Sequence, residues 1–418
     1  MNCKNCNKKN LLKIVKIGKQ PLSGFFYKTK KKNIKKFSLD LFKCSNCDLV
    51  QLNNKVKVSK MYGAHYGYKT SISKLMVDHL KEKSQRLKKS KIIRKGHKIL
   101  DIGSNDASFL KLLGNNYDLF GIDPSAAKFK KNYKHMNLIP NFFSKKNIIK
   151  NIGKKDIKFN FISSIAIFYD VENPNAFCKD INSLLDKDGI WLCEFSYLPL
   201  MLKNLTFDQI CHEHLMYYSL TVFEKILKNN QLKIINVKLN EINGGSIEVL
   251  IAKDSCKRKS NLKLINKLKF DEKKINHKSF KNFSTRINDV KKNLIAFVKK
   301  NKSIIGYGAS TKGNIVLNFA KMNSKNISYI CDENKKKFGK FSPGSNIQII
   351  SKNQMRKINP KYLLVLIWSF RSEIIKQELN FLKKGGNLIF HLPRFHIVNK
   401  LNYKKYLKNN FKSLSYNY

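Results

Sequence analysis

The order of apolar and polar positions along the chain predicts an α/β protein. From residue 97 onward, short apolar runs rich in β-branched and aromatic residues alternate with segments whose apolar residues have helical spacing. The runs HKILDIG, DLFGIDPS, FNFISSIAIF and GIWLCEFSY predict strands, and KIINVKL and GSIEVLIA predict two more. Strands that alternate with helices form mainly parallel, doubly wound sheets.

A second strand–helix series follows a lysine-rich segment. Residues 256–300, which include NLKLINKLKF and TRINDVKKNLIAFVKK, have helical spacing and predict a connector. Beyond it, KSIIGYG, ISYICDEN, KYLLVLIWSF and GNLIFHL predict strands, and ASTKGNIVLNFA predicts a helix. We therefore expect a small module at 1–60, an α/β domain at 61–255, the helical connector at 256–300 and a second, Rossmann-like α/β domain at 301–418.

The strong positive charge of the chain changes this picture little. The net charge is +55, but the lysines are spread along the chain rather than gathered into one arm. Abundant lysine with scarce glycine and proline is the pattern that AT-rich codons would produce across a proteome. We expect no nucleic-acid partner, although the charge favours a polyanionic small ligand such as a nucleotide diphosphate.

Two segments bear on where the protein works. The N-terminal sequence MNCKNCNKKN has no apolar core of a signal peptide. The strongest apolar run, YLLVLIW at 362–368, is far shorter than the roughly 20 residues that span a bilayer. We therefore expect a soluble, cytoplasmic protein with no membrane partner. In a reducing compartment its nine cysteines indicate metal binding or buried thiols rather than disulfides.

Four cysteines near the N-terminus have the spacing of a zinc site. Cys3 and Cys6 form one C-x-x-C pair, and Cys44 and Cys47 form another. Two such pairs, each in a tight turn, can hold one zinc ion in a tetrahedron of thiolates. With four thiolates bound, no position stays open for catalysis, so we expect a structural site. The alternatives are coincidence or a redox pair.

The turn after the first predicted strand of the α/β domain has the character of a nucleoside site. In LDIGSNDASF only one turn residue is a glycine, whereas a dinucleotide site prefers G-x-G-x-x-G. An acid ends the next strand, where a carboxylate can accept both ribose hydroxyls. A glycine-poor turn fits a nucleoside without a pyrophosphate, such as S-adenosylmethionine; the alternative is a generic α/β turn. The predicted donor-binding residues are Asp101, Gly103, Ser104, Asn105 and Asp123.

The segment DQICHEHLMYYSL places two histidines around one glutamate. His212, Glu213 and His214 could form a metal site, a proton-transfer centre or a purely structural polar cluster. Two histidines and a carboxylate could ligate zinc, but the neighbouring sequence supplies no obvious further ligand. Histidine is the usual general base near neutral pH, which favours proton transfer.

Nearly the whole chain resembles a known family. It looks like the three-domain sugar C-methyltransferases, through the four-cysteine module and the segments MYGAHYGYKTSISKLMVDHL, ILDIGSNDASFL, FYDVENPNAF, YLPLMLKNLTFDQICHEHLMYYS, NGGSIEV, GYGASTKGNIVLNF, FSPGSNIQI and LVLIWSFRSEI. The resemblance implies a zinc-binding module, a class I Rossmann-like methyltransferase domain and a second Rossmann-like domain. It also implies a nucleotide-linked keto-deoxysugar as substrate, S-adenosylmethionine as donor and methylation at C-3, beside a 4-ketone.

This chemistry gives the histidine pair a role. A sugar carbon becomes nucleophilic only when an α-proton beside a carbonyl is removed, which needs a base and a donor that holds the enolate oxygen. By resemblance, Glu213 and His214 match the active-site pair of the family, with His214 as base and Glu213 orienting the ring or contacting the sugar. Tyr66 and Tyr68 match a region that supplies an active-site tyrosine, and the choice between them stays open.

The chain departs from the family pattern at two positions. A tyrosine often stands where this chain has Cys211, so an oxyanion donor is missing or replaced. Some members have a histidine after the fourth strand, and here Tyr169 lies near that place in IFYDVENP. Both departures lie at positions that bear on the proton route.

Two further segments could contact the substrate. NGGS at 243–246 is either a backbone approach to the sugar or an ordinary type I′ hairpin turn. GYGASTKGN at 306–314 fails both the dinucleotide pattern and the P-loop pattern, but a helix N-terminus with a lysine could receive a diphosphate. The residues that we assign to substrate binding are His212, Asn243, Lys312 and Arg371, and Arg394 is a further candidate that could equally be a surface charge.

Two other functions compete with this one. Charge and the zinc module would also suit a methyltransferase that acts on RNA or another nucleic acid, but VENPNAF lacks the second proline and the adjacent aromatic residue of the usual base-methylating loop. RNA binding would show a steep salt dependence. A zinc-bearing binding protein with degenerate α/β domains would have no affinity for S-adenosylmethionine.

Overall fold

A computed structural model of the chain describes residues 1–53, 56, 57, 59, 61, 62, 67–408 and 414–417. It has a small antiparallel sheet near the N-terminus and two larger sheets of mainly parallel strands. The predicted α/β fold with a cysteine-rich N-terminal module is confirmed. None of the helices in the described ranges is both long and apolar enough to cross a membrane.

The N-terminal module contains five short strands, which are β1 (Leu11–Val15), β2 (Lys19–Pro21), β3 (Lys36–Ser38), β4 (Leu41–Cys44) and β5 (Val50–Leu52). Strand β4 pairs with β1 and β5, both antiparallel, and β2 pairs with β3 as a separate hairpin. The short strands bury few side chains, so the module depends on support from outside its own sheet.

The middle domain begins with a helix and continues as alternating strands and helices. The elements are α1 (Lys74–Lys89), β6 (Lys98–Ile102), α2 (Ser108–Leu113), β7 (Asp118–Ile122), β8 (Asn137–Ile139), α3 (Lys145–Ile152), β9 (Phe159–Ile165), α4 (Pro174–Leu184), β10 (Leu185–Ser196), α5 (Leu198–Lys203), β11 (Met216–Tyr217), α6 (Leu220–Lys228), β12 (Leu232–Asn240) and β13 (Ser246–Lys253). Several helices start at a residue whose side chain caps the first turn, such as Ser73, Ser144 and Ser219.

The strand order of the middle sheet fixes where a ligand can bind. The order is β12-β13-β10-β9-β6-β7-β8, and β13 runs antiparallel to both of its neighbours. The chain reverses its direction of winding between β6 and β9. In open α/β sheets ligands bind at such a switch point, outside the carboxyl ends of the strands.

Strand β11 does not join the middle sheet. Met216 pairs with Gln51 and Tyr217 with Val50, so β11 extends the module sheet to the order β1-β4-β5-β11. A two-residue strand that follows the His-Glu-His segment therefore ties that segment to the N-terminal module.

Two helices and a second series of alternating strands and helices follow β13. Their elements are α7 (Leu262–Glu272), α8 (His277–Lys300), β14 (Ile304–Tyr307), α9 (Thr311–Phe319), β15 (Tyr329–Asp332), β16 (Gln348–Ser351), α10 (Lys352–Ile358), β17 (Tyr362–Val365), α11 (Arg371–Gln377), α12 (Leu379–Lys383), β18 (Asn387–Phe390), β19 (His396–Val398) and α13 (Tyr403–Lys408). The sheet order is β16-β15-β14-β17-β18-β19, parallel except for β19. One apolar core joins α8, this sheet and β1 of the module.

A buried charge cluster fixes α1 against the middle sheet. Glu194 of β10 lies opposite Glu248 of β13, and Lys83 of α1 forms ion pairs with both carboxylates. His79 Nε2 lies 2.9 Å from Glu194, and Arg86 contacts Glu248 at 2.6 Å. Burial would raise the pKa of Glu194, but Lys83 and then His79 outweigh it and lower that pKa to about 2.

The Glu194 carboxylate should make stability depend on pH at the acid end. Its folded pKa is depressed, so its contribution is present above the unfolded value of about 4.5 and is lost as pH falls toward 2. We expect urea unfolding from pH 6 to pH 3 to show a steeper loss of unfolding free energy in the wild type than in Glu194→Gln. Glu82→Gln, at an exposed ion pair, is the matched control. Parallel curves for wild type and Glu194→Gln would rule the effect out.

Candidate functional site

The turn after β6 has the geometry that its single glycine predicts. Gly103 has φ +74°, and a Cβ there would lie 2.3 Å from Ile167 Cδ1, so only glycine fits. The backbone N–H of Asn105 donates to Asp123 Oδ2 at 3.0 Å, and that of Ser125 donates to Oδ1 at 2.6 Å. These bonds fix the Asp123 carboxylate beside the turn at the ligand-binding edge of the sheet.

Two more of the predicted donor-binding residues, Asp101 and Ser104, form hydrogen bonds within the protein next to the same turn. Ser163 Oγ donates to Asp101 Oδ1 at 2.7 Å, and burial raises the pKa of Asp101 to about 7. Ser104 Oγ lies 2.8 Å from Tyr133 Oη. The five predicted donor-binding residues are thus brought together at the carboxyl ends of β6 and β7, although Asp101 and Ser104 make bonds inside the protein.

The tyrosine segment lies over this turn. Asn105 Nδ2 donates to the carbonyl of Tyr68 at 3.3 Å, and the backbone N–H of Thr70 donates to Asn105 Oδ1 at 3.1 Å. Tyr68 is about half exposed. Tyr66 lies outside the described residues. A different tyrosine of the same segment, Tyr62, reaches the interior, where its hydroxyl donates to Asp170 Oδ2 at 2.7 Å.

Backbone hydrogen bonds hold the His-Glu-His segment beside the end of β9. The N–H of Leu215 donates to the carbonyl of Tyr169 at 2.8 Å, and the N–H of His214 donates to the carbonyl of Cys211 at 3.2 Å. Strand β11 then leads the chain into the module sheet. The segment therefore lies where β9 ends, at the switch point of the middle sheet.

The His214 ring is half-buried beside the end of β9. It packs on the ring of Tyr169 with centroids 4.2 Å apart. Burial, and then the positive charge of Lys312, lower the pKa of His214 to about 3, although a bond to the backbone of Gln209 opposes them. A neutral imidazole at physiological pH can accept a proton.

Two carboxyl groups lie beside this segment, that of the half-buried Glu213 and that of the buried Asp170. Burial raises the pKa of Glu213, which accepts a hydrogen bond from the thiol of Cys211. Burial also raises the pKa of Asp170 well above its usual range, and the nearby Glu213 raises it further. The atoms Glu213 Oε2 and Asp170 Oδ1 are buried and make no hydrogen bond within the described ranges. Buried oxygens of this kind are typical of a site that binds a ligand.

The sequence reasoning missed Asp170 and Tyr62. It considered Tyr169 for the position after the fourth strand where some members have a histidine. In the structure the Tyr169 ring packs on His214, and the polar side chain at this place is that of the next residue, Asp170. The signal was the acid that ends FYD after an apolar strand, since carboxyl ends of parallel strands carry the functional groups of such sheets.

His212 faces away from this cluster. Its Nε2 lies 3.4 Å from the carbonyl oxygen of Phe37, and the two rings meet edge to face at 6.0 Å. Burial lowers the pKa of His212 to about 4. The ring thus packs on the module, and its assignment to substrate binding stays a prediction.

Asn243 and Lys312 meet next to the histidine cluster. Lys312 Nζ donates to Asn243 Oδ1 at 2.8 Å, and Gln209 Nε2 donates to the Asn243 carbonyl at 2.5 Å. Asn243 has φ +57° in the loop at 241–245 between β12 and β13, so the NGGS segment is not a two-residue type I′ turn. Gly244 is required there because a Cβ would lie 2.8 Å from Trp368.

The two arginine candidates lie within the second α/β domain. Arg371 is 2% exposed, with Nη1 3.5 Å from His396 Nε2 and its guanidinium 5.3 Å from the ring centre of Tyr406. Arg394 donates to the carbonyls of Leu414 and Ser415. Both side chains are engaged in the fold, and their assignment to a diphosphate stays a prediction.

The four N-terminal cysteines form a compact cluster. Cys3 Sγ lies 3.5 Å from Cys47 Sγ, Cys6 Sγ lies 3.6 Å from Cys44 Sγ, and all four sulfurs are within 4.8 Å of one another. A tetrahedral zinc with bonds of about 2.3 Å requires sulfurs about 3.8 Å apart, so the donor set fits. Among the described residues, these four cysteines are close enough to one another to hold a metal ion. The side chains of the His-Glu-His segment do not form such a group.

All three parts of the chain meet at Glu213. A Cβ on Gly24 of the module would lie 3.1 Å from Glu213 Oε1 and 3.8 Å from Thr311 Oγ1 of α9. Trp368 of the second α/β domain donates to Asp208 Oδ2 at 2.8 Å. The surroundings of the His-Glu-His segment are therefore built by the module, the middle domain and the second α/β domain together.

Comparison with known proteins identifies these parts. Residues 3–62 match the family model "Putative zinc binding domain", residues 73–237 match "Methyltransferase domain", and residues 241–393 match "C-methyltransferase C-terminal domain". The chain is 26% identical to the C-methyltransferase NovU of Streptomyces niveus over 406 residues, which cover 95% of this chain and 96% of that protein.

Solved structures resemble part of the chain. An S-adenosylmethionine-dependent methyltransferase from Clostridium acetobutylicum is 13% identical, covers 42% of this chain and 91% of its own, and has a TM-score of 0.32. Magnesium protoporphyrin IX methyltransferase from Synechocystis, solved with bound S-adenosylmethionine, is 12% identical, covers 43% of this chain and 78% of its own, and has a TM-score of 0.31.

Proposed function

The chain belongs to the C-methyltransferases that join a zinc-binding domain, a methyltransferase domain and a C-terminal domain, and we propose that its acceptor is a nucleotide-linked keto-deoxysugar. S-adenosylmethionine is the methyl donor, and zinc is the structural metal of the four-cysteine cluster. Methylation takes place at the carbon next to the ketone, which is C-3 beside a 4-ketone.

The His214 ring, which packs on Tyr169 next to the Glu213 carboxyl group, is the observation that carries this proposal. Its ring accepts the α-proton of the sugar, and Glu213 orients the ring or the sugar. Burial of the groups around the ring limits the access of water, which keeps the enolate from being reprotonated before it reacts. Bound S-adenosylmethionine supplies an electrophilic methyl group to that carbon.

The donor site fits S-adenosylmethionine through its turn and its anchored carboxylate. Gly103 leaves room for a ligand at the backbone, and Asp123 is held by two backbone N–H groups with lone pairs still free for ribose hydroxyls. We expect Asp123→Ala to weaken S-adenosylmethionine binding about 10- to 100-fold, because the variant loses one or two hydrogen bonds to a charged group. Isothermal titration calorimetry measures this. Asp118→Ala, at the exposed start of the same strand, is the control, and an unchanged Kd for Asp123→Ala would refute the assignment.

A second turn of the same kind supports a nucleotide as part of the acceptor. In the C-terminal domain, the N–H of Ala309 donates to Asp332 Oδ2 at 2.8 Å and the N–H of Asn334 donates to Oδ1 at 2.7 Å. This repeats the arrangement of Asn105, Ser125 and Asp123 in the middle domain. The high positive charge of the chain favours a diphosphate in the same acceptor.

We place the reaction in the cytoplasm. The nine cysteines are free thiols, four of them in the zinc cluster, which suits a reducing compartment. Fractionation of cells that express the protein, with a cytoplasmic enzyme as marker, tests the location.

The acceptor is tested with a panel of 4-keto-6-deoxy nucleotide sugars. The purified protein is incubated with each sugar and methyl-labelled S-adenosylmethionine, and mass spectrometry follows the sugar. We expect one labelled methyl group on one or more sugars. No transfer to any sugar, despite measurable donor binding, would overturn the acceptor class and direct the search to RNA, whose binding would fall steeply with salt.

A further inference from the structure

Lys312 contributes a positive charge from the C-terminal domain to the reacting centre. It lies in the first turn of α9, and its Nζ donates to Asn243 Oδ1 at 2.8 Å. The Asn243 carbonyl accepts from Gln209 Nε2, and the Gln209 backbone bonds the ring of His214. The hydrogen bonds of Asn243 and Gln209 therefore link the ammonium group of Lys312 to the proposed base.

The ammonium group is only partly compensated in this position. Lys312 forms no ion pair within 4.0 Å in the part of the chain that the structure describes. Asp208, the acid whose charge acts most strongly on Lys312, accepts a hydrogen bond from Trp368 at one oxygen, and its other oxygen is buried without a hydrogen bond among the described residues. Burial lowers the pKa of Lys312, and Asp208 opposes this. A desolvated cation without a close partner favours an anionic ligand.

The position of Lys312 favours an enolate oxygen as its ligand. Gly24 lies between the sequence neighbours of Lys312 and His214, because a Cβ there would lie 3.8 Å from Thr311 Oγ1 and 3.1 Å from Glu213 Oε1. The first turn of α9 therefore begins beside the His-Glu-His segment. An enolate oxygen carries at most one negative charge and is bonded to the carbon next to the one that loses its proton, so it has to lie close to His214.

We propose that Lys312 is a catalytic residue that donates a hydrogen bond to the sugar carbonyl oxygen as it becomes an enolate, an inference that rests on the proposed function. His214 takes the α-proton, the C–H electron pair becomes the C=C bond, and the carbonyl π pair moves to the oxygen at Lys312. The enolate carbon then forms its bond to the methyl group while the S–CH₃ pair goes to sulfur and the carbonyl re-forms. The proton leaves His214 for solvent when the product departs.

This arrangement explains why a base lies next to a cation. Before an enolate forms, Lys312 disfavours a proton on His214. As the enolate forms, its negative charge offsets that of Lys312, and the protonated ring becomes acceptable. The preorganised cation thus stabilises the transition state more than it stabilises the bound substrate.

The test separates enolate stabilisation from diphosphate binding. With a sugar that the wild type methylates, exchange of the α-hydrogen in D₂O is followed by NMR in the presence of S-adenosylhomocysteine, alongside kcat and KM for methyl transfer. We expect Lys312→Met to slow both exchange and kcat by about 10²- to 10³-fold. The KM for the sugar and the Ki of the free nucleoside diphosphate should change by less than about threefold. Lys325→Met, an exposed lysine that follows the same helix, should match the wild type.

A raised Ki for the nucleoside diphosphate with unchanged kcat and exchange would overturn the proposal and make Lys312 a diphosphate ligand. If Lys312→Met does not fold, Lys312→Arg is the second variant, because it keeps the positive charge. It should retain exchange of the α-hydrogen at a reduced rate. Exchange at the wild-type rate with a raised Ki for the nucleoside diphosphate would contradict the assignment. Failure of the wild type itself to methylate any sugar is a separate result, which overturns the proposed function.

Discussion

Replacing His214 with alanine is expected to lower kcat for methyl transfer by about 10²- to 10⁴-fold, the usual contribution of a positioned general base. The α-carbon of the sugar is not a nucleophile until its proton is removed, so loss of the base stops the reaction before the donor takes part. Donor affinity should stay unchanged, because the donor turn after β6 is built from other residues. Exchange of the α-hydrogen should fall by the same factor as kcat.

His277→Ala is the matched control, because this histidine is exposed at the start of α8. Thermal unfolding of both variants shows whether the fold is retained. Exchange at the wild-type rate in a folded His214→Ala variant would exclude His214 as the base. It would direct attention to the buried carboxyl groups of Asp170 and Glu213, whose pKa values burial raises toward those of a base at neutral pH.

Loss of the zinc ion is expected to unfold the N-terminal module and to abolish methyl transfer. Structural zinc contributes about 10–16 kcal/mol of binding free energy in zinc-finger peptides, comparable to the roughly 5–15 kcal/mol stability of a whole domain. The module sheet includes β11, which follows His214, and Gly24 lies against Glu213. The cysteines therefore influence the reacting centre through the strands that they hold in place.

Cys44→Ser tests this without a chelator. We expect the ratio of zinc to protein to fall well below one by atomic absorption, with loss of β-structure in circular dichroism and of kcat. Cys256→Ser, at a buried cysteine outside the cluster, should keep its zinc and its activity. A zinc-free variant with full activity would contradict the structural role of the metal.

The fold was predictable where its signals are local. Strands such as β6 and β14 are buried apolar runs with a glycine at or near their carboxyl end, and alternation with helices follows from the order of the runs. The zinc site was predictable because two C-x-x-C pairs specify four ligands by spacing alone, and the sulfurs do come together. The donor turn was predictable because one glycine and one acid at a fixed distance determine its geometry.

The site was less predictable because it depends on contacts between distant parts of the chain. Strand β11 is two residues long, too short for any periodic pattern, and it gains its structure only by pairing with β5. Tyr62 and Asp170 are separated by more than 100 residues and meet through the fold. The burial of Arg371 against Tyr406 was not predictable either, because the two residues meet only in the folded second α/β domain, where the long apolar part of the arginine packs on the ring.

The central claim is that the enzyme forms a carbon–carbon bond on a sugar next to a ketone. The most direct measurement is NMR of the product made from S-adenosylmethionine with a ¹³C-labelled methyl group and a 4-keto-6-deoxy nucleotide sugar. We predict a labelled methyl carbon coupled to a sugar carbon that is itself bonded to the carbonyl carbon. A labelled methyl on oxygen or nitrogen, or on a carbon remote from the carbonyl, would contradict the account.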